Sequence, residues 1–99
     1  MDSLESILYG ILNGNYAAAE KAGHDEVNNY TIDTCHTVDC GWETAVWYMD
    51  YPMIIVARYP DKKTAQDGHK AWVDTCTTNA PTHAFSVQTD RIESFSREW

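Results

Sequence analysis

The segment from Met53 to Cys76 reads MIIVARYPDKKTAQDGHKAWVDTC, and it decides the fold. It opens with a near-continuous apolar run of strand length, which is typical of a strand covered on both faces. Pro60-Asp61 then predicts the start of a helix with Asp61 as the N-cap. The side chains that share one face of this helix are Ala65, Gly68, His69, Trp72, Val73 and Cys76. The segment therefore predicts the central or best-buried strand of a sheet and a helix that packs across it.

Two further strands are predicted upstream of this segment. Residues 30–38 alternate β-branched and aromatic side chains with polar ones. Residues 42–49 repeat the alternation after an Asp39-Cys40-Gly41 turn. Neither of these strands has a purely polar face, so we expect side chains from both faces to be covered.

The two ends of the chain are less regular. Residues 1–23 carry apolar side chains at helical spacing with stops at Gly14 and Gly23, which predicts helices. Residues 79–99 fit either a short strand or a terminal helix. We therefore expect one two-layer α+β domain over residues 1–99. Its parts are a helical segment 1–23, an antiparallel meander of three or four strands over 30–59, a helix over 61–78 on one face, and a tail over 79–99.

The chain is strongly acidic. Its 99 residues include 15 Asp and Glu against 7 Lys and Arg, a net charge of −8 that lies entirely in the first half. Non-specific nucleic-acid binding needs cations to displace counterions from phosphates, so this function class is disfavoured. A cationic partner suits the charge, and so does ordinary solubility.

The cysteines and the N-terminal apolar stretch bear on the compartment. Three cysteines are an odd number and too few for a secreted disulfide scaffold, so we expect a reducing cytoplasm. Residues 4–12 have no basic leader and are too short to span a membrane. Cys35-His36 with Cys40 is the nearest approach to a metal motif, but neighbours on a strand point to opposite faces. We expect no metal site and no cofactor.

One set of motifs resembles a known group of proteins. The motifs are Glu43, Thr44, Val46 and Trp47, then Arg58 and Tyr59, then Ala65, Gly68 and His69. They resemble a family of small uncharacterised proteins encoded by tailed bacteriophages, over about a third of the chain. The resemblance implies a phage protein that works in the cytoplasm of the host cell, and it implies no activity.

Glu43 and His69 are the candidate catalytic residues. His69 lies on the helix face that meets the sheet, where an imidazole must find a hydrogen-bond partner, and Glu43 is the candidate carboxylate. In a cleft, the two could act as an acid-base pair or hold a cation. The alternative, which we favour, is a polar network that fixes the helix against the sheet, because no third catalytic group is evident.

Aromatic residues give the second candidate site. They are more numerous in and beside the sheet than one layer of helices can hide, so we expect an exposed patch on one sheet face, either Trp47 with Met49 or Trp42 with Tyr48. Such a patch predicts a homodimer or a higher homo-oligomer, which we favour, or a bound partner. The candidate binding residues are Trp42, Trp47, Tyr48, Arg58, Tyr59 and Trp72.

Three functions are compatible with these observations. The favoured one is a non-catalytic phage accessory protein that binds a host or defence protein, or a small signalling molecule, through an aromatic-rich acidic surface. The others are a small enzyme that uses Glu43 and His69, with or without a metal, and a structural or assembly subunit. A nucleotide-like ligand would need aromatic stacking together with Arg58, Lys62 or Lys63 near the helix start.

Overall fold

The computed structural model describes residues 20–38 and 40–99. The elements in these residues are β1 (Lys21–Val27), β2 (Tyr30–Thr37), β3 (Gly41–Tyr48), β4 (Ile54–Tyr59), α1 (Lys62–Thr78), β5 (His83–Ser86) and β6 (Arg91–Ser94). The predicted α+β class, with an antiparallel sheet and a helix after it, is confirmed. The predicted N-terminal helices lie outside the described residues, except that residues 21–23 begin β1 and are not helical.

The larger sheet is an antiparallel meander in the order β1-β2-β3-β4. Its first strand, β1, was not predicted. Asn28 and Asn29 have φ angles of 51° and 70°, the left-handed values that a two-residue hairpin turn requires. This turn folds β1 back onto β2 and sets Asp25 opposite Ile32. The sheet therefore gains its fourth strand from the N-terminal side and not from the tail.

The position of β4 differs from the prediction. β4 lies at the end of the four-stranded order, and β2 and β3 are the interior strands. Ile54, Ile55 and Val56 are nonetheless buried. The tail also reaches β4, since Val87 N donates to Ile55 O at 2.9 Å. An apolar run therefore marked a well-covered strand, but coverage does not require a central place in the sheet.

The helix α1 packs on the sheet face that carries Thr34 of β2 and Thr44 of β3, which are cross-strand partners. Its buried residues are Ala65, His69 and Cys76. The predicted N-cap is confirmed, because Asp61 Oδ1 accepts a hydrogen bond from Thr64 N at 2.9 Å. The N-cap sets the residue at which α1 begins. The spacing of its buried residues places His69 on the side of α1 that faces β2 and β3.

The tail forms a hairpin and contributes to the core. β5 and β6 pair in an antiparallel two-stranded sheet, which decides between the strand and the terminal helix expected there. Phe95 is fully buried, and its ring meets that of Tyr30 edge-on with centroids 5.7 Å apart. Tyr30 also donates its hydroxyl proton to Pro81 O. The end of the chain is thus held against β2 by both ring packing and a hydrogen bond.

Candidate functional site

His69 is the centre of a buried polar network. Its side chain projects from α1 into the sheet, and the residue is only 4% exposed. Its Nε2 lies 2.7 Å from Asp25 Oδ2 of β1, and its Nδ1 lies 2.7 Å from Thr34 Oγ1 of β2. Both ring nitrogens are therefore satisfied, as a buried imidazole requires.

The network continues across the remaining strands. Thr34 Oγ1 lies 2.6 Å from Thr44 Oγ1, which lies 2.9 Å from the phenol oxygen of Tyr59. Both threonines are fully buried. We call these five side chains (Asp25, His69, Thr34, Thr44 and Tyr59) the polar chain. It links α1 to all four strands of the meander.

Two glycines make room for the polar chain. A Cβ on Gly23 would lie 2.5 Å from His69 Cδ2, and a Cβ on Gly68 would lie 2.3 Å from Tyr59 Cε1. Real Cβ atoms are not found so close to a neighbour. The imidazole therefore lies against the backbone of β1, and the phenol ring lies against the backbone of α1.

Tyr59 is the phenol at one end of the polar chain. Burial raises its pKa above the ordinary 10.0, and the hydrogen bond with Thr44 offsets this in part by lowering the pKa. The phenol is half-buried, and its raised pKa keeps it protonated at neutral pH. It therefore keeps a proton to donate as well as lone pairs that accept.

The structure does not bring Glu43 and His69 together. Thr44 joins the polar chain on the helix side, and its neighbour Glu43 points to the opposite face of β3. There, Glu43 is buried, and its Oε2 accepts a hydrogen bond from Arg58 Nε at 3.2 Å. The carboxylate beside His69 is Asp25, which was not predicted as its partner because β1 was not predicted. The signal that could have found it is Asn28-Asn29, a hairpin turn dipeptide that places Asp25 beside β2.

The opposite sheet face carries a second polar group. Asp33 is buried there, and its Oδ1 lies 2.6 Å from Lys21 Nζ and 2.9 Å from His24 Nδ1. Because Asp33 and Thr34 are neighbours on β2, this group and the polar chain lie on opposite sides of the sheet. Buried carboxylates on this face are therefore neutralised by cations from the edge strands.

The residues of the weak metal motif are spread out. Cys35 is buried in β2, His36 is exposed and packs its ring 5.1 Å from that of Trp42, and Cys40 is exposed in the following turn. In the described residues, no three His, Cys, Asp or Glu side chains are grouped so that they could hold a metal ion.

A concave surface lies at the end of the sheet where the β1–β2 and β3–β4 turns meet. A depression of about 550 Å³ is lined by Glu26, Trp47, Met49 and Asp50, among others. A second depression, of about 480 Å³, is lined by Met49, Asp50, Tyr51, Pro52 and Arg97. We call this the turn surface, and its members are Glu26, Trp47, Met49, Asp50, Tyr51 and Arg97.

Met49 is the shared apolar member of the turn surface. It is 54% exposed and has a φ of 52°, and its backbone N donates to Asn29 O at 2.8 Å. The left-handed backbone turns its side chain out of the sheet, while the hydrogen bond ties the two turns together. Arg97 lies 5.8 Å from the centroid of the Tyr51 ring. The rim is acidic, since Glu26 and Asp50 are both exposed.

The predicted aromatic binding residues do not form one surface. Trp42 and Trp47 are buried, so the exposed sheet face that was predicted for them is wrong. Tyr48 is half-buried and packs on Trp99 with centroids 4.7 Å apart. Trp72 packs against the core and Tyr59 belongs to the polar chain. Of the six predicted residues, Trp47 alone lines the turn surface in the described chain.

The basic residues proposed for a nucleotide-like ligand have acidic partners. Arg58 pairs with Glu43, Lys62 Nζ lies 2.6 Å from Glu20 Oε2, and Lys63 Nζ lies 3.0 Å from Asp67 Oδ1. The carboxylate of Asp61 also occupies the N-terminus of α1. The arrangement expected for a bound phosphate is therefore not formed by these side chains.

Comparisons with known proteins leave these sites to be judged on geometry. Among the described residues, no helix combines the length and the apolar character needed to cross a membrane. The resemblance to tailed-phage proteins stays a prediction. Comparisons with protein-family models, with curated proteins and with solved structures found no match to this chain.

Proposed function

We propose that this protein acts by binding a partner and not by catalysis, and that it binds through the turn surface. The observation that carries the proposal is the meeting of two depressions at Met49 and Asp50. A solvent-exposed apolar side chain in a concave, acid-rimmed surface is the arrangement of an interface centre with a polar rim. The sequence predicted an aromatic-rich acidic surface on one face of the sheet, whereas the turn surface lies at the end of the sheet.

The charge of the chain favours a cationic partner. With 15 acidic and 7 basic residues, the net charge is −8, so the long-range field attracts a basic segment and repels an acidic one. The turn surface itself includes two acidic residues, Glu26 and Asp50, and one basic residue, Arg97. We infer that the partner is a protein segment that carries Lys or Arg beside an apolar anchor for the Met49 depression. A host or defence protein with such a segment would fit an accessory role in phage infection.

The polar chain supports an enzyme less well. Asp25, His69 and Thr34 follow the order of carboxylate, imidazole and hydroxyl that hydrolases use. The Thr34 hydroxyl, however, is fully buried, and it is hydrogen-bonded to both His69 and Thr44. A nucleophile must reach its substrate, so this geometry favours a structural or regulatory role for the three residues.

Selection from a displayed library of random peptides tests the proposal. We expect the wild-type protein to enrich peptides that combine Lys or Arg with an apolar residue. Met49→Asn keeps a residue type that tolerates a positive φ but removes the apolar side chain. It should weaken binding of the selected peptides about tenfold or more, as the loss of an anchoring side chain does.

Val38→Asn is the matched control. Val38 is 67% exposed but lies at the opposite end of the sheet, after β2. Its substitution should leave the affinities unchanged. Enrichment of acidic peptides, of no peptides, or of peptides that ignore Met49→Asn would contradict the proposal. Sedimentation of both variants would separately show whether the turn surface is instead an interface between copies of this chain.

A further inference from the structure

We propose that the polar chain is a proton-controlled switch, in which proton uptake at His69 reverses the direction of its hydrogen bonds and converts Tyr59 from an outward acceptor into an outward donor. The polar chain and the turn surface have no residue in common. Four consecutive contacts, of 2.7, 2.7, 2.6 and 2.9 Å, run from Asp25 to Tyr59. Each contact is within hydrogen-bond distance, so every member has a partner on the chain.

With neutral His69, the direction of the chain is fixed from one end. The carboxylate of Asp25 has no proton to give, so the Nε2 proton of His69 points to Asp25 and Nδ1 is left as an acceptor. Thr34 must then donate to Nδ1. Its oxygen accepts from Thr44, and Thr44 accepts from Tyr59. The phenol proton of Tyr59 therefore points inward, and the outward side of its oxygen is an acceptor.

With protonated His69, the direction reverses. Nδ1 now carries the added proton and donates to Thr34, so Thr34 donates to Thr44 and Thr44 donates to the phenol oxygen. Tyr59 must turn its own proton outward. One proton is taken up from solvent at Nδ1, no other covalent bond changes, and three hydroxyl groups rotate. Because each hydroxyl has only one proton, a link that reverses alone leaves a hydroxyl proton without an acceptor in the polar chain.

The packing prevents the chain from relaxing in other ways. Thr34 and Thr44 are fully buried, so water cannot readily replace a lost partner. Gly23 and Gly68 hold the imidazole and the phenol ring against backbone. A misaligned link would leave a buried hydroxyl unsatisfied, and this penalty is what couples the two ends.

The charged surroundings of His69 are simple in the described chain. α1 packs against β1, β2, β3 and β4. β1 presents Asp25 to the imidazole and β4 presents the phenol of Tyr59, while β2 and β3 present only the hydroxyls of Thr34 and Thr44. The adjacent turns of α1 add Ala65, Gln66, Trp72 and Val73, none of which is charged. The Asp25 side chain is 52% exposed, so the Nε2 side of the imidazole lies close to solvent.

The consequence is a half-buried phenol whose hydrogen-bonding character follows pH. Imidazole is the side chain that ordinarily changes charge between about pH 5 and 8. A partner that offers an acceptor to Tyr59 would bind the protonated form better, and a partner that offers a donor would bind the neutral form better. The structure thus assigns Tyr59 a role that its position on β4 alone does not explain.

Nuclear magnetic resonance titration of the full chain tests the switch. The probes are the ring nitrogens of His69 and the phenol carbon Cζ of Tyr59, followed from about pH 5 to 8. We expect the Tyr59 shift to titrate with the same midpoint as His69. Tyr30 is the internal control, because its hydroxyl donates to a backbone carbonyl, Pro81 O, in both states and should not respond.

Thr44→Val provides the decisive variant, since it removes the link between Thr34 and Tyr59. It should abolish the Tyr59 response while His69 still titrates. Thr31→Val, on the opposite face of β2, is the matched control and should change neither response. Three results would refute the switch. They are a Tyr59 Cζ shift that does not change with pH in the wild type, a His69 ring that does not titrate in the folded protein, and a Tyr59 Cζ shift that still changes with pH in Thr44→Val. If Thr44→Val does not fold, the comparison of Tyr59 with Tyr30 in the wild type decides the matter.

Discussion

Asp25 and His69 are 44 residues apart in the sequence, and their Oδ2 and Nε2 atoms lie 2.7 Å apart. The contact joins the outermost strand of the described sheet to the helix that covers it. β1 has the sequence KAGHDEV, which is poor in strand-forming residues. A hydrogen bond from the helix therefore compensates for weak local propensity, and the polar chain has a structural role whether or not it also responds to pH.

His69→Ala should lower the free energy of unfolding by about 3 kcal/mol, because it empties a buried site and leaves Thr34 without its imidazole partner. Asp25→Asn should cost only about 1 kcal/mol, since that side chain is half exposed and the amide can still accept. Urea denaturation followed by tryptophan fluorescence measures both changes.

Lys70→Ala is the control for these two variants. Lys70 follows His69 on α1 but is exposed, so its loss should change the free energy of unfolding by less than about 0.5 kcal/mol. A cost for His69→Ala as small as that of Lys70→Ala would mean that the polar chain does not hold β1 and α1 together.

Much of the fold follows from local signals in the sequence. Asp61 and the spacing of Ala65, His69 and Cys76 predict α1 and its N-cap, and both are confirmed. Apart from the Asn28-Asn29 turn, β1 offers no local signal of this kind, because its strand form depends on pairing with β2 and not on its own side chains. The tail was equally ambiguous, since Phe95 becomes buried only when Tyr30 is brought beside it.

The candidate site was predicted only in part. Helical phase placed His69 on the sheet face, and the structure places it there. The predicted partner of His69 was wrong, since Glu43 faces away from the imidazole and Asp25 contacts it instead. Alternation divides β3 into two faces but does not say which face the helix covers. Trp42 lies on one face and Trp47 on the other, so both faces carry a large apolar side chain. The turn surface depends on two turns meeting in space, and no sequence pattern indicates that.

Gly68→Ala should destabilise the protein, although the same change in an ordinary helix stabilises it by about 1 kcal/mol. The new Cβ would lie 2.3 Å from the Tyr59 ring, so the ring must move outward and give up its hydrogen bond with Thr44. We expect a net loss of about 1 kcal/mol or more in the free energy of unfolding, measured in urea.

The Tyr59→Ala background separates this clash from any other effect of Gly68→Ala. Without the phenol ring, the added methyl group meets no obstacle there, and Gly68→Ala should become stabilising by about 1 kcal/mol. The same sign in both backgrounds would show that Tyr59 and Gly68 are not in close contact in solution.

Asn28→Gly should lower the free energy of unfolding by about 1 kcal/mol. Asn28 Nδ2 donates to Cys76 O at 3.2 Å and to Thr77 O at 3.1 Å, and so it satisfies carbonyls at the C-terminal end of α1. Glycine retains the left-handed backbone of the turn, so the change isolates the loss of the side-chain amide.

Asn29→Gly is the matched variant in the same turn. Asn29 also has a positive φ, and Asn-Gly is a preferred pair for this hairpin. It should leave the free energy of unfolding unchanged or raise it slightly. Equal losses in the two variants would show that the turn backbone, and not the bond to α1, accounts for the effect of Asn28→Gly.

Alkaline pH should destabilise the protein through Cys76. Burial raises the pKa of this thiol from 9.0 to about 11. Between these two values the unfolded chain has lost the thiol proton while the folded chain keeps it, so the free energy of unfolding must fall as pH rises. Burial likewise raises the pKa of Tyr30 and of Tyr59, which adds to the fall in the same direction. Urea midpoints measured from about pH 8 to 10 should therefore decline.

Cys76→Ala is the control, because it removes the thiol. The urea midpoint of this variant should be lower at pH 8 and should decline less steeply as pH rises. An equally steep decline in the variant would assign the effect to the phenols alone.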